Sequence, residues 1–149
     1  MSSGRRLTLE DFVPGRTFET GGRVVSASDI EAFAELSGDR NPLHLDDEAA
    51  RAAGFDGRIA QGALGIAVAT GLWSAEGATR GSLVALVGLD WQFQAPIRPG
   101  DTIRLRVRVV EQRARPGRDH GIVRFAIDVL NQADVLVQRG TVTELIRTA

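Results

Sequence analysis

"IAQGALGIAVATGLWSA", residues 59–75, decides the fold. It is 17 residues long, carries no charge and is rich in glycine and alanine. A membrane-spanning helix needs roughly 20 mostly large apolar residues. This stretch is shorter, and its side chains are small. It reads as a helix buried inside a soluble protein, with small side chains that let a sheet approach its backbone closely.

The chain on its C-terminal side changes period. In "DTIRLRVRVVEQRAR", Ile103, Leu105, Val107 and Val109 face one way, and Arg104, Arg106 and Arg108 face the other. "SLVALVGLDWQFQAPI" alternates from Leu89, placing Leu89, Trp91 and Phe93 on one side and Asp90, Gln92 and Gln94 on the other. "GIVRFAIDVLNQ" and "DVLVQRGTVTELI" complete the set. The intervening Pro96–Gly100, Pro116–Asp119 and Asn131–Asp134 segments have turn chemistry. Four consecutive strands with short links predict an antiparallel sheet. On the N-terminal side, "LTLEDFVPGRTF" is an approach segment with a turn at Pro14-Gly15, and "RVVSA" is a short strand. Ser28 and Glu31 fit a capping box for a helix carrying Ile30, Phe33, Ala34 and Leu36 that stops near Gly38. Asp46 caps a second short helix that Gly54 ends. Helices are segregated from strands, so the class is α+β: an antiparallel sheet of about five strands wrapped around one long helix, with short helices before it. The whole chain, 1–149, reads as one domain.

Composition removes several chemistries. Net charge is −1, so no bulk field favours nucleic acid or an anionic membrane. There is no cysteine, hence no disulfide, thiolate metal site or cysteine nucleophile. All 18 basic residues are arginine, and tyrosine is absent, so neither a lysine nor a phenol can act. Acid–base work falls to Asp, Glu or the two histidines. The N-terminal "MSSGRRLTLEDF" has no apolar run behind its arginines, and the expected location is the cytoplasm.

"SGDRNPLHLDD", residues 37–47, carries the candidate chemistry. Asp39 and His44 lie five positions apart, both after a helix end and in what reads as an irregular segment. Pro42 restricts its own φ and the conformation of Asn41, and such stiffness suits a general base that must be held near its proton. Asn41 can bond its own backbone or orient a neighbour. The same Asp-Arg-Asn-Pro sequence is also an ordinary turn. Gly62 stands where the uncharged helix begins, and a helix N-terminus offers unpaired amides to a developing oxyanion. Thr70 lies two turns on; its hydroxyl either contacts substrate or bonds back to a carbonyl one turn earlier. His120, in "GRDHGIV", reads as a solvated turn residue. Arg104, Arg106 and Arg108 read as a solvated strand face, with Arg40 and Arg58 better placed for a phosphate. Asp46, Asp47 and Glu48 belong to a helix start rather than to a metal cluster, and no metal site is expected.

The segment "FAELSGDRNPLHLDDEAARAAGFDGRIAQGALG", residues 33–65, resembles the signature of MaoC-like dehydratases, the (R)-specific enoyl-CoA hydratases of the hot-dog fold. "FQAPIRPGDTIRLRVRVVE" is similar to that family's strand–turn–strand. The resemblance implies that Asp39 and His44 form the acid–base pair that holds a water, and that the Gly62 amide binds the thioester oxygen. Thr70 falls where a serine often helps hold the site. Gln61 stands where a histidine is frequent; that histidine is not the catalytic one, so the departure bears on substrate preference rather than on activity. The implied reaction interconverts a trans-2-enoyl-CoA and an (R)-3-hydroxyacyl-CoA. It uses no cofactor beyond the coenzyme A or acyl carrier of the substrate. A homodimer or higher homo-oligomer is implied as well. The alternatives are a thioesterase on the same fold and a non-catalytic acyl-binding subunit.

Overall fold

The alternating segments form a sheet in the computed structural model, which describes residues 4–149; Met1–Ser3 lie outside it. The long strands are β3 (Leu83–Phe93), β4 (Thr102–Arg113), β5 (His120–Leu130) and β6 (Leu136–Arg147). Two short strands precede them, β1 (Thr17–Glu19) and β2 (Arg23–Val24). The order is β1-β4-β5-β6-β3, with β2 also paired to β4, and every pairing is antiparallel. β1 begins at the end of the segment read as a mere approach. Three residues are too few to show a period, and only their pairing with β4, Thr17 with Arg108, Phe18 with Val107 and Glu19 with Arg106, defines the strand.

Register follows the pattern. Ile103, Leu105, Val107 and Val109 of β4 are buried, as are Val123, Phe125, Ile127 and Val129 of β5. Their faces meet Leu64, Val68, Ala69, Leu72 and Trp73 of the long helix. Each such side chain contributes roughly 1.5–3 kcal/mol by leaving water. Phe12, Phe18, Trp73 and Phe125 form a linked aromatic group at one end of this core.

Four α-helices follow a single 3-10 turn at Leu9–Asp11: α1 (Ala27–Ser37), α2 (Pro42–Leu45), α3 (Asp47–Ala52) and the long α4 (Gly62–Glu76). The cap of α1 lies two residues earlier than the sequence reading placed it. Ser26 accepts from the Asp29 amide and Asp29 accepts from the Ser26 amide, so Ser28 and Glu31 are not the box. Leu36, expected on the apolar face, is exposed, while Ile30 and Ala34 are buried. Gly38 ends α1 in the left-handed conformation, as expected, and Asp46 caps α3. α4 is not buried all round. Ala63, Ala67, Thr70, Gly71 and Ser74 form an exposed stripe, and only the opposite face enters the core. No helix among the described residues is long and apolar enough to cross a membrane.

Candidate active site

The Asn41-Pro42 pair, read as part of an irregular segment, is a helix start. Proline lacks only an amide that would be unpaired anyway at the first helical position. Asn41 caps α2 by accepting from the Leu43 amide at 3.1 Å, and the His44 amide donates to the Asn41 carbonyl. His44 therefore sits on one turn of helix rather than in irregular chain, and the turn fixes its direction. Asp39 stays in the connection. Its amide donates to the Ser37 hydroxyl, and its carboxylate accepts from the Asn41 amide at 3.3 Å. The backbone on both sides thus holds this carboxylate.

His44 is 9% exposed, whereas the Asp39 side chain is 47% exposed. The two face each other, with Nε2 of His44 3.7 Å from Oδ2 of Asp39. That is too long for a direct hydrogen bond and suits a water between them. On the other side of the ring, Nδ1 of His44 lies 2.8 Å from the Ile59 carbonyl oxygen. A carbonyl can only accept, so Nδ1 carries the proton in the neutral ring. Nε2 is left with its lone pair toward Asp39.

The same Ile59 links the pair to α4. Its amide donates to the Leu43 carbonyl, and the chain reaches Gly62, the first residue of α4, three positions later. The first amides of a helix have no intrahelical partner. No side chain caps this one. Gln61, at the cap position, turns away: it is buried, and its Nε2 donates to the Ile30 carbonyl at 3.0 Å. The Phe93 ring lies against Gly62, so close that a Cβ there would stand 2.7 Å from Cε1. Gln138 donates to the Gly62 carbonyl at 3.4 Å, accepts from the Trp91 indole at 2.9 Å, and fills the space beside Gly65.

The structure thus brings Asp39, Asn41 and His44 together and ties them through Ile59 to Gly62. Thr70 takes the second of its two readings. The Thr70 hydroxyl donates to the Ala67 carbonyl at 2.8 Å, two turns along α4. Four of the five arginines considered for phosphate are held in ion pairs, Arg40 with Glu35, Arg58 with Glu31, Arg104 with Asp134 and Arg106 with Glu19, while Arg108 makes none among the described residues. His120 is not a free turn residue; it opens β5 between Asp119 and Arg115.

Sequence reasoning passed over two residues. Gln138 sits in "DVLVQRGTV" without any motif to flag it. Glu144 had a readable signal, because Val142, Glu144 and Ile146 share one period-two row and only the middle one is charged. All three are buried. Burial raises the Glu144 carboxyl to about 7, against a smaller opposing effect of the Trp73 indole.

Comparison with known proteins places the fold in a family. The MaoC-like domain family matches residues 11–129. The chain belongs to the MaoC-like dehydratase family. A 3-hydroxybutyryl-CoA dehydratase of Methylorubrum extorquens is 38% identical over 72% of this chain and 66% of its own length. An (R)-specific enoyl-CoA hydratase of Rhodospirillum rubrum is 37% identical over 68% of each chain. The crystal structure of a MaoC-like dehydratase from Rhodospirillum rubrum superposes with a TM-score of 0.85 at 32% identity, covering 96% of this chain and 98% of that one. The sheet curved against one long helix is the hot-dog fold of these dehydratases.

Proposed function

We propose that this MaoC-like protein hydrates a trans-2-enoyl thioester to the (R)-3-hydroxyacyl thioester, or runs the reverse dehydration. The observation that carries the reading is the Asp39–His44 pair, 3.7 Å apart with the His44 tautomer fixed by Ile59. A water between them donates one hydrogen to Asp39 and gives a proton to Nε2 of His44. Its oxygen adds to C3 of the enoyl group. The electrons of the C2–C3 double bond move to C2 and onto the thioester oxygen, which the Gly62 amide and the α4 dipole stabilise. The proton on His44 returns to C2 on the same face. Water is consumed, nothing is oxidised or reduced, and no added cofactor takes part. Hydratase and dehydratase relatives, each over a third identical, support this reaction class.

The thioester is carried by coenzyme A or an acyl-carrier protein. The Phe93 ring beside Gly62 must move aside for the acyl group. The exposed stripe of α4 and the exposed β3 pack against a second copy, making a homodimer.

The test follows loss of the conjugated enoyl absorbance, with chiral analysis of the product. Asp39→Asn and His44→Ala should each lower kcat roughly 10²- to 10⁴-fold in a protein that still folds. Normal turnover in either variant rejects the assignment. Release of free thiol in place of enoyl loss makes the protein a thioesterase.

A further inference from the structure

The proposed hydration uses the first turn of α4 but not the side chain that grips it from the sheet. Gln138, on β6 opposite Phe93 of β3, is 3% exposed, and both ends of its amide are engaged. The Trp91 indole N–H can only donate, and it lies 2.9 Å from Oε1. That bond fixes which end of the amide is which and turns Nε2 toward α4, where it donates to the Gly62 carbonyl at 3.4 Å. The amide lies directly on the helix: a Cβ at Gly65 would stand 2.2 Å from Nε2 and 2.5 Å from Oε1, so only glycine admits it. The Gly62 carbonyl and the Ala63 N–H share one rigid peptide plane. A bond accepted by that carbonyl fixes the plane and polarises its N–H. The Leu64 and Gly65 amides are both taken by the Gln61 carbonyl, which leaves those of Gly62 and Ala63 for a ligand.

We propose that Gln138 is a positioning residue for the oxyanion site. Locked by Trp91, it fixes the Gly62–Ala63 peptide so that the first amides of α4 stay aimed at the thioester oxygen. This role rests on the hydratase reading, in which that oxygen gains negative charge only as water adds to C3. A misplaced amide therefore costs turnover more than substrate binding. Gln138 itself touches no reacting atom; those are left to Asp39 and His44.

Two variants of the full chain break the contact from opposite sides. Gln138→Met keeps the bulk and loses both hydrogen bonds. Gly65→Ala keeps Gln138 but puts a methyl group where its amide lies, while alanine favours the helix. Each should lower kcat about tenfold, less than the roughly 10²- to 10³-fold loss of an oxyanion donor itself, with KM within about twofold of wild type. The double variant should be no slower than the slower single one, because both act through one bond. If Gln138→Met fails to fold, Gly65→Ala carries the test. A second arm uses butanoyl-CoA, isotopically labelled at the thioester carbonyl, which has no double bond to hydrate. Its infrared carbonyl stretch should fall in frequency on binding to wild type, and roughly half or more of that shift should vanish in either variant. An unchanged kcat, or a shift that is absent from wild type or unaltered in the variants, overturns the proposal. A rise in KM that matches the loss of kcat marks a loosened fold and overturns it too. A wild type that hydrates no enoyl-CoA but shifts the carbonyl sinks the hydratase reading and leaves Gln138 to be judged by the shift alone.

Discussion

β3 and β4 are nearly equal in length, yet they live in different environments. In β4 the inward row of Ile103, Leu105, Val107 and Val109 is at most 1% exposed, and charged arginines face out. In β3 the side chains of Leu86, Val87, Leu89 and Phe93 are all about half exposed. β4 lies between β1 and β5 and faces α4, whereas β3 pairs only with β6 and forms the sheet edge. The sequences record the difference. β4 alternates strictly, but "LVALVGL" places apolar residues on both faces. A strand apolar on both faces needs cover on both, and an uncovered apolar edge invites pairing with another chain. One strand is specified by its own molecule, and the other leaves a surface for a second one.

The strongest attempt to break this contrast puts the same charge in each strand. Val107→Asp buries a carboxylate with no partner in the closed part of the core. It should cost more than about 4 kcal/mol, enough to leave the chain largely unfolded. Leu89→Asp, on the edge strand, should fold with a circular dichroism spectrum like that of wild type. If a well-folded Val107→Asp protein is recovered, the inward row does not hold the fold as argued.

The contrast sharpens at β6, which lies between β5 and the edge strand and carries Glu144 in its inward row opposite Leu86. Burial raises this carboxyl from 4.5 to about 7. The folded chain therefore holds the Glu144 proton more tightly than the unfolded chain. Between about pH 4.5 and pH 7 it binds more protons, so the Glu144 contribution to stability falls as pH rises through that window. The full span is on the order of 3 kcal/mol. Glu144→Gln removes the titration. Its stability relative to wild type should climb across the window and level off above it, as followed by chemical denaturation at several pH values. A pH-independent difference between the two proteins would show that the carboxyl is not desolvated.

These same residues show what the sequence made legible. Strict alternation in β4 and β5 was readable because each inward residue meets only the core of its own chain. The site loop was readable in its chemistry but not its shape. Asn41-Pro42 signals a helix end and a helix start equally, and only the Leu43 amide on Asn41 decides which. The position of Gln61 gave no hint that its side chain turns inward to Ile30, because a buried amide and a substrate-facing one look alike in sequence. Glu144 was legible in principle and was hidden by the habit of reading a charge as an outward mark.

The smallest effects lie on the two edges, and there the comparison predicts a difference in kind. Arg106→Ala removes an exposed β4 side chain, 3.4 Å from Glu19. An exposed ion pair of this sort is worth about 0.2–1 kcal/mol. The melting temperature should drop by a few degrees at most, with no change in molecular mass. Leu89→Asp should also leave the stability of a single chain nearly unchanged, since the side chain is already 46% exposed. Its effect should appear in assembly instead: light scattering should give twice the chain mass for wild type and for Arg106→Ala, and the chain mass for Leu89→Asp. Two strands changed at comparable exposure would then respond differently because β4 is already paired on both sides while β3 is not. A Leu89→Asp protein that remains dimeric would place the second copy elsewhere and leave the apolar surface of β3 without an occupant.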